Sequence, residues 1–381
     1  MRSLRLFLVF LFLLAATAVV AAQDKPKEIY VYTDSDTNIS DWWTNTLIPA
    51  FEKANPQYKV VLTIVRGVGG GNTDIANRAL AALATGDDPQ VDLFETISTD
   101  EVKDWVDKKL FLEITKDNVP NIANVVDATN RLPDAIPYRG SQVLLAYNSD
   151  AVKAEELPKT YADLIKWIKD HPGKFVYNRP DKGGSGAAMV TRAIFEVTGK
   201  DPSLFVAGES KKELIDQFPK AWELLASIHD AIYENGSYPA GNTPVLELFA
   251  NGSVDMITAW SDQALQAMNK GLLPDTTKFA QLTDLPFTGG YAYSGIPANS
   301  TNKEGALALA NFMLTPEIQA SVVKEIGGFP AISWSDLPKE LQTKFLDVIT
   351  DTVPTWPGGD YGSAMVEGWY KNVATNIVQG S

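Results

Sequence analysis

The sequence predicts an α/β protein built from two doubly wound domains. The chain has 381 residues, which is long enough for two domains that each have their own core. Its first hundred residues alternate between short β-branched or aromatic segments and longer segments with apolar residues at helical spacing. This alternation of strand and helix is typical of a doubly wound sheet. Hydrophobic residues make up 45% of the chain and charged residues 21%, as in ordinary soluble globular proteins.

Three strand-like segments begin the first domain. We expect strands over residues 28–33, 58–65 and 91–96. A helix should run from about residue 41 to Asn55, where Pro56 stops it, and another from 73 to 84 after a glycine-rich turn.

A long second domain follows. The patterns predict a helix over 161–169, a strand over 174–178, a helix from Ala187 and a helix over 220–234. Further on, Asn251-Gly252 ends a helix, and a short buried strand then leads to Trp260. Ligands of open α/β sheets bind beyond the carboxyl ends of the strands, so Trp260 and Asp262 are well placed to line a cleft.

Acidic residues follow two strands of the first domain. Asp34 and Asp36 lie directly after the first strand, with Trp42 in the next helix, and Glu95 ends the third strand. We expect these four residues at the same crevice, as ligand contacts. The alternative is that Asp36 or Ser40 caps the helix, and that Glu95 caps the helix after it.

The segment Arg-Pro-Asp-Lys-Gly-Gly-Ser-Gly at 179–186 carries the most explicit chemical signal. Glycines such as Gly184 let the backbone approach a ligand, Ser185 offers a hydroxyl, and the following helix presents free N–H groups. With Arg179 as a forked partner, this turn can receive a phosphate, sulfate or carboxylate. The alternative is a plain turn in which Ser185 caps the helix. The segment is not a P-loop, because the Gly-Lys-Ser/Thr ending is missing.

Two tyrosines lie at alternate positions in the segment Gly-Tyr-Ala-Tyr-Ser. Tyr291 and Tyr293 therefore have their rings on one sheet face, where they suit a sugar or a cation. The alternative is that this face packs on a neighbouring helix. Trp356 and Tyr361 are further candidates for residues that overhang the cleft.

The N-terminus indicates export. Arg2 and Arg5 precede an apolar run, and small residues end at Ala22, so residues 1–22 are predicted to be a signal peptide cleaved after about Ala22. An uncleaved anchor is the alternative. The chain has no cysteine, which excludes disulfides, thiolate metal sites and a lipid-bearing N-terminal cysteine. We therefore expect a periplasmic protein that is not a lipoprotein.

Composition also excludes some function classes. A formal net charge of -14 is unfavourable for binding nucleic acid, because phosphate contacts need a basic face. The two histidines, His171 and His229, have no serine or cysteine motif nearby, and no metal-ligand spacing occurs. We expect no catalysis, no cofactor and no metal. A secreted hydrolase with paired carboxylates and a scaffold module remain as alternative classes.

Three stretches resemble the solute-binding proteins of ABC importers. They are VLELFANGSVDMITAWSDQA at 245–264, GIPANSTNKEGALALANFMLTPEIQA at 295–320, and the crossing-like segment 135–148, in which Pro137 precedes a strand ending in Tyr-Asn. The order and spacing of these motifs cover nearly the whole mature chain. The resemblance implies a type II periplasmic binding protein-like fold, with Tyr138 and Arg139 of the crossing facing the ligand.

The resemblance also implies a domain division and a function. Lobe 1 would comprise 23–137 and 292–327, and lobe 2 would comprise 138–291 and 328–381, with hinge crossings near 138–141, 287–296 and 327–330. A monomeric receptor would capture a small molecule between the lobes and deliver it to an ABC permease in the inner membrane. The stretch DKGGSGAAMVTRAIFEVTG favours a thiamine-like ligand or another organic cation with an anionic group. A sugar or a glycerophosphate is the alternative. The iron-binding branch usually has adjacent tyrosines, whereas Ala292 separates Tyr291 from Tyr293 here.

Overall fold

The computed structural model describes residues 25–65, 71–126, 132–205, 211–341, 353–354 and 360–379. The predicted signal peptide and Trp356 lie outside these residues. Strands in the described chain form two sheet systems: β1 Lys27–Thr33, β2 Tyr58–Ile64, β3 Leu93–Phe94, β4 Ile136–Asn148, β5 Phe175–Val176, β6 Met256–Trp260, β7 Thr277–Ala280, β8 Gly289–Ser294 and β9 Phe329–Pro330.

Helices cover both sheet systems. They are α1 Thr37–Trp42, α2 Ile48–Ala54, α3 Asn72–Thr85, α4 Lys103–Asp107, α5 Tyr161–Asp170, α6 Gly184–Val197, α7 Lys212–Ile215, α8 Phe218–Ala226, α9 Tyr233–Gly236, α10 Asn242–Ala250, α11 Ser261–Asn269, α12 Lys303–Met313, α13 Pro316–Ser321 and α14 Tyr361–Asn372. A π-helical turn, Trp43–Leu47, joins α1 to α2, and a second one, Val322–Ile326, extends α13.

The first sheet is parallel, with strand order β2-β1-β3. Alternate residues of β1 face inward, so Ile29 and Val31 are fully buried in a core that α1, α2 and α12 complete. Because the strands are parallel, the chain leaves β1 and β3 at the same edge. This arrangement brings the loop after Thr33 beside the loop after Phe94.

The second sheet is mixed and is organised around the long strand β4. Strand β6 lies between β5 and β4, and β7 pairs with the far side of β4. The first half of β4 pairs antiparallel with β8 and β9, whereas its second half pairs antiparallel with β6 and β7. A separate hydrophobic core surrounds this sheet and includes residues from α5, α6, α8 and α14.

Several helix boundaries differ from the predicted ones. Helix α1 begins at Thr37 rather than near residue 41, and α6 begins at Gly184 rather than at Ala187. The predicted helix over 220–234 ends at Ala226. It ends early because the chain there turns to form a bridge between Ile232 and Phe175 of β5, which takes the backbone out of helical geometry.

No single helix in the described residues is both long and apolar enough to cross a membrane. One bent pair of helical segments, Lys303–Met313 with Pro316–Ile326, has the length and apolar composition of a membrane span when both segments are counted together. The angle between the two segments is 58°.

Candidate functional site

A cleft of about 500 Å³ lies between the two sheet systems. Its first wall comes from the loops after β1 and β3 and from the starts of α1 and α3, and includes Asp34, Asp36, Asn38, Asn72, Thr96 and Glu101. Its second wall comes from the segment before α6, the starts of α6, α10 and α11 and the end of β6, and includes Lys182, Gly184, Asn242, Trp260 and Asp262. Strands β4 and β8 connect the walls and contribute Arg139, Tyr291 and Tyr293.

The structure brings many of the predicted ligand residues to this cleft. Those that line it are Asp34, Asp36, Arg139, Gly184, Trp260, Asp262, Tyr291 and Tyr293. The predicted residues that are not among the lining residues are Trp42, Glu95, Tyr138, Arg179 and Ser185. Each of these five has protein partners instead.

Glu95 lies behind the cleft wall, fully buried in a hydrogen-bonded cluster. Its carboxylate accepts from the hydroxyls of Thr33 (2.8 Å), Ser35 (2.6 Å) and Tyr138. The Arg139 guanidinium lies 3.4 Å from the same carboxylate. These donors satisfy Glu95 from within the protein, so it supports the wall instead of facing the cleft.

Arg139 links two buried carboxylates that come from different parts of the chain. Besides Glu95, its guanidinium lies 3.7 Å from the Asp262 carboxylate, which also accepts from Ser141 Oγ at 2.6 Å. Burial raises the pKa of Asp262, and the charge of Arg139 opposes that rise. The Arg139 side chain is 11% exposed, so this is a largely desolvated ion cluster.

Trp42 and Tyr138 belong to the core beneath the cleft. Their rings stack with centroids 6.3 Å apart, and the exposed fractions are 3% and 0%. The indole N–H of Trp42 donates to Ser321 Oγ, and burial raises the pKa of Tyr138 well above its usual value. Tyr361, considered as a residue over the cleft, is also buried and packs against Phe205.

The glycine-rich segment before α6 is held by the protein's own side chains. Ser185 is 1% exposed, and its hydroxyl lies within hydrogen-bonding distance of Asn178 Oδ1 (2.7 Å) and Asn242 Oδ1 (2.9 Å). Nε of Arg179 donates to the carbonyl of Tyr238 at 3.1 Å. The polar groups proposed for an anion therefore already have hydrogen-bond partners within the protein.

The glycines of this segment permit close packing. A Cβ atom at Gly184 would lie 2.6 Å from the Trp260 ring, and one at Gly186 would lie 1.9 Å from the carbonyl oxygen of Asn178. Gly184 thus lets the Trp260 indole lie directly against the first turn of α6, where both residues line the cleft.

Two hydrogen bonds join the walls across the cleft. Nδ2 of Asn242 donates to Asp36 Oδ2 at 2.8 Å, and Nδ2 of Asn38 donates to Asp262 Oδ2 at 3.4 Å. Each bond connects the start of α1 with an element that flanks the second sheet, so the walls are held in direct contact.

The cleft is rich in carboxylates. Asp34, Asp36, Glu101 and Asp262 line it, together with the basic residues Arg139 and Lys182. Burial, and secondarily the charge of Glu95, raise the pKa of Asp34 to about 6. Burial also raises the pKa of Glu101. Both shifts arise mainly because burial removes these carboxylates partly from water.

Sequence reasoning missed the polar residues Asn38, Asn72, Glu101, Lys182 and Asn242, which line the cleft. Lys182 and Asn72 lie in two glycine-rich turns of the sequence. A polar residue in such a turn is a signal from which both could have been predicted. Glu101 and Asn242 carried no local signal, because only the pairing of distant segments brings them to this place.

A family model for bacterial extracellular solute-binding proteins matches residues 46–346. The chain belongs to this family. A solved structure of a periplasmic thiamin-binding protein has the same fold, with a TM-score of 0.62 at 17% identity, over 92% of this chain and 98% of that chain. The predicted α/β fold of the periplasmic binding protein type is therefore confirmed.

Two curated relatives of the solute-binding family come from Escherichia coli (strain K12). The spermidine/putrescine-binding periplasmic protein is 25% identical over 236 residues, which cover 58% of this chain and 60% of that protein. The putrescine-binding periplasmic protein is 24% identical over 325 residues, which cover 81% of this chain and 78% of that protein. The match to the first relative thus spans less than two thirds of its length.

Proposed function

We propose that this solute-binding protein is a periplasmic receptor that holds a small organic cation in the cleft and delivers it to the permease of an ABC importer. One observation carries the proposal. Asp34, Asp36 and Glu101 line the cleft, and none of them forms an ion pair with another described residue. A partly desolvated carboxylate is stabilised by a cation, so an ammonium or similar group completes this wall. The relatives named for spermidine and putrescine bind ligands of this charge.

The proposed capture uses two lobes, 23–137 with 292–327 and 138–291 with 328–381, joined at crossings near 138–141, 287–296 and 327–330. Two separate hydrophobic cores, one on each sheet system, support a division into two lobes. A ligand that contacts both walls favours the closed arrangement, and the importer then distinguishes loaded from empty receptor. We propose that export removes residues 1–22 and that the receptor acts as a monomer.

A ligand screen by thermal unfolding tests the receptor function. The protein is first unfolded, washed and refolded to remove carried ligand. The panel contains putrescine, spermidine, thiamine and ω-amino acids, with sugars and glycerophosphate as the competing classes. A ligand at 100 times its Kd adds about 2.7 kcal/mol to the free energy of unfolding, which is a shift of a few degrees. A shift with cations supports the proposal, and a shift with sugars or glycerophosphate alone contradicts it.

Asp36→Asn is expected to weaken cation binding about tenfold, because it removes a charge from the cleft while keeping an acceptor for Asn242. Isothermal titration with the best cation of the screen measures the change. Asp41→Asn is the matched control, since Asp41 is exposed on the same helix and the net charge changes equally. Equal affinities for both variants would exclude a role for the Asp36 charge.

Cation binding is expected to weaken several-fold between pH 7.5 and pH 5. With a pKa of about 6, Asp34 is ionised at the higher pH, whereas about one tenth of it is ionised at pH 5. The protonated form attracts the cation less, so affinity falls as pH falls. Titrations at both pH values should show a smaller pH effect in Asp34→Asn than in the intact protein. An unchanged pH effect in this variant would assign it to another group.

We propose binding without turnover. The ligand found in the screen should be recovered chemically unchanged after prolonged incubation with the protein, as measured by mass spectrometry. Product formation that is lost in a variant of one cleft carboxylate would instead favour the hydrolase class.

A further inference from the structure

Lys182 is a basic residue of the carboxylate-rich cleft for which the cation-receptor proposal gives no role. It lies immediately before α6, lines the cleft, and has a side chain that is 23% exposed. Its one ion pair within the described chain is with Asp181 at 4.0 Å, the outer limit for such a contact. Asp181 is itself engaged by the Tyr370 hydroxyl at 2.7 Å. The ammonium group of Lys182 is therefore weakly compensated.

Arg139, the other basic residue among the described residues that line the cleft, already forms ion pairs with the protein. Arg139 lies between the carboxylates of Glu95 and Asp262, within 3.4 and 3.7 Å. A guanidinium carries one positive charge, and two nearby carboxylates more than neutralise it. Arg139 therefore presents no net positive charge to a ligand. Lys182 is thus the positive group that the second wall presents to the cleft.

The first wall has the opposite character at the start of α3. Asp34 accepts a hydrogen bond from the backbone N–H of Asn72 at 3.4 Å, and Glu101 lies 3.4 Å from the Thr73 hydroxyl. These contacts place both carboxylates around the same helix start. Asn72 is 3% exposed, its Nδ2 donates to the carbonyl of Thr96, and its Oδ1 has no hydrogen-bond partner in the described chain. An unpartnered buried acceptor beside two carboxylates suits an N–H donor with positive charge.

The two walls therefore differ in charge. We propose that the ligand is amphoteric, with an ammonium group held by Asp34 and Glu101 on the first wall and a carboxylate or other anionic group held by Lys182 on the second. This inference rests on the proposed cation receptor and narrows its ligand class. A ligand with cationic groups at both ends would place one of them near Lys182, at an electrostatic cost. An anionic end replaces that repulsion with attraction, and the ligand then bridges the walls.

The inference also moves the anion site from where sequence reasoning placed it. Arg179 and Ser185 are not among the lining residues, whereas Lys182 of the same segment is. The segment reaches the cleft through the side chain of Lys182, whereas Ser185 is buried.

A matched ligand series tests the assignment. Straight-chain ω-amino carboxylates of four to six carbons are compared with diamines and with simple alkylamines of the same length, by isothermal titration. The intact protein is expected to bind an ω-amino carboxylate at least tenfold more tightly than the diamine of equal length. Lys182→Gln should remove this preference, and Lys182→Glu should reverse it in favour of the diamine. Lys169→Glu, an exposed change of equal charge on α5, should leave the preference as it is.

The outcomes separate the two proposals. If no amine of any kind binds, the cation receptor itself is contradicted. If amines bind but diamines bind as tightly as amino carboxylates, or if Lys182→Glu leaves the ratio unchanged, the amphoteric ligand is excluded and the cation receptor stands. Circular dichroism and the thermal midpoint of each unliganded variant show whether it is folded. A ratio of affinities within one variant is independent of its fraction of active protein.

Discussion

Arg139→Met is expected to lower the free energy of unfolding by about 3–5 kcal/mol, because it leaves two buried carboxylates without their cation. Glu95 is 0% exposed and Asp262 is 4% exposed, so both carboxylates are largely shielded from water. Urea unfolding followed by circular dichroism measures the loss. Burial raises the pKa of Asp262, and without the opposing charge of Arg139 this pKa rises further in the folded state, so the loss should be larger at pH 8 than at pH 5.

Two further variants make this result specific. Arg78→Met removes an exposed arginine that contacts the Tyr32 ring and should change stability by less than about 1 kcal/mol. Adding Glu95→Gln and Asp262→Asn to Arg139→Met should restore part of the lost stability, because the neutral amides need no cation. A loss below about 1 kcal/mol in the single variant would mean that the cluster is not desolvated in solution.

Gly186→Ala is expected to lower the free energy of unfolding by at least about 1–3 kcal/mol. The added Cβ would lie 1.9 Å from the backbone oxygen of Asn178, which is not a flexible group, so α6 and the strand end before it must move apart. The movement would also disturb the hydrogen bonds of Ser185 to Asn178 and Asn242. Urea unfolding measures the stability, and cation titration measures the effect on the second wall.

Gly362→Ala is the matched control for this change. Gly362 lies in the first turn of α14, and a Cβ atom there would have no neighbour within 4 Å among the described residues. Alanine favours helix over glycine by about 1 kcal/mol, so this variant should be as stable as the parent or more stable. If Gly186→Ala were equally harmless, the close approach of α6 to Asn178 would not exist in solution.

Much of the fold could be predicted from local sequence. The alternating burial of β1 and the apolar face of α5 are set by side chains two, three or four residues apart, which a sequence shows directly. Helix ends were less predictable. The helix predicted over 220–234 ends at Ala226 because Ile232 pairs with Phe175, and such a pairing depends on residues that are distant in sequence.

The family, the α/β fold and a cleft at the carboxyl ends of strands could all be predicted from the amino-acid sequence alone. Asp34, Asp36 and Trp260 follow or end strands, and the direction of a strand carries its end residue to a known edge of the sheet. The resemblance to the family rested on motifs that stay in order along the chain, and the family model that matches residues 46–346 confirms it.

Tertiary contacts determine which polar side chains face the cleft and which lie behind it. Glu95 is satisfied by Thr33 and Tyr138, which are 62 and 43 residues away, and no local pattern reveals those donors. Near the start of α6, Ser185 is buried because Asn242 provides a hydrogen-bond partner for its hydroxyl, whereas Lys182 remains at the cleft. A polar side chain is buried when partners meet it there, and the partners come from segments that only folding brings together.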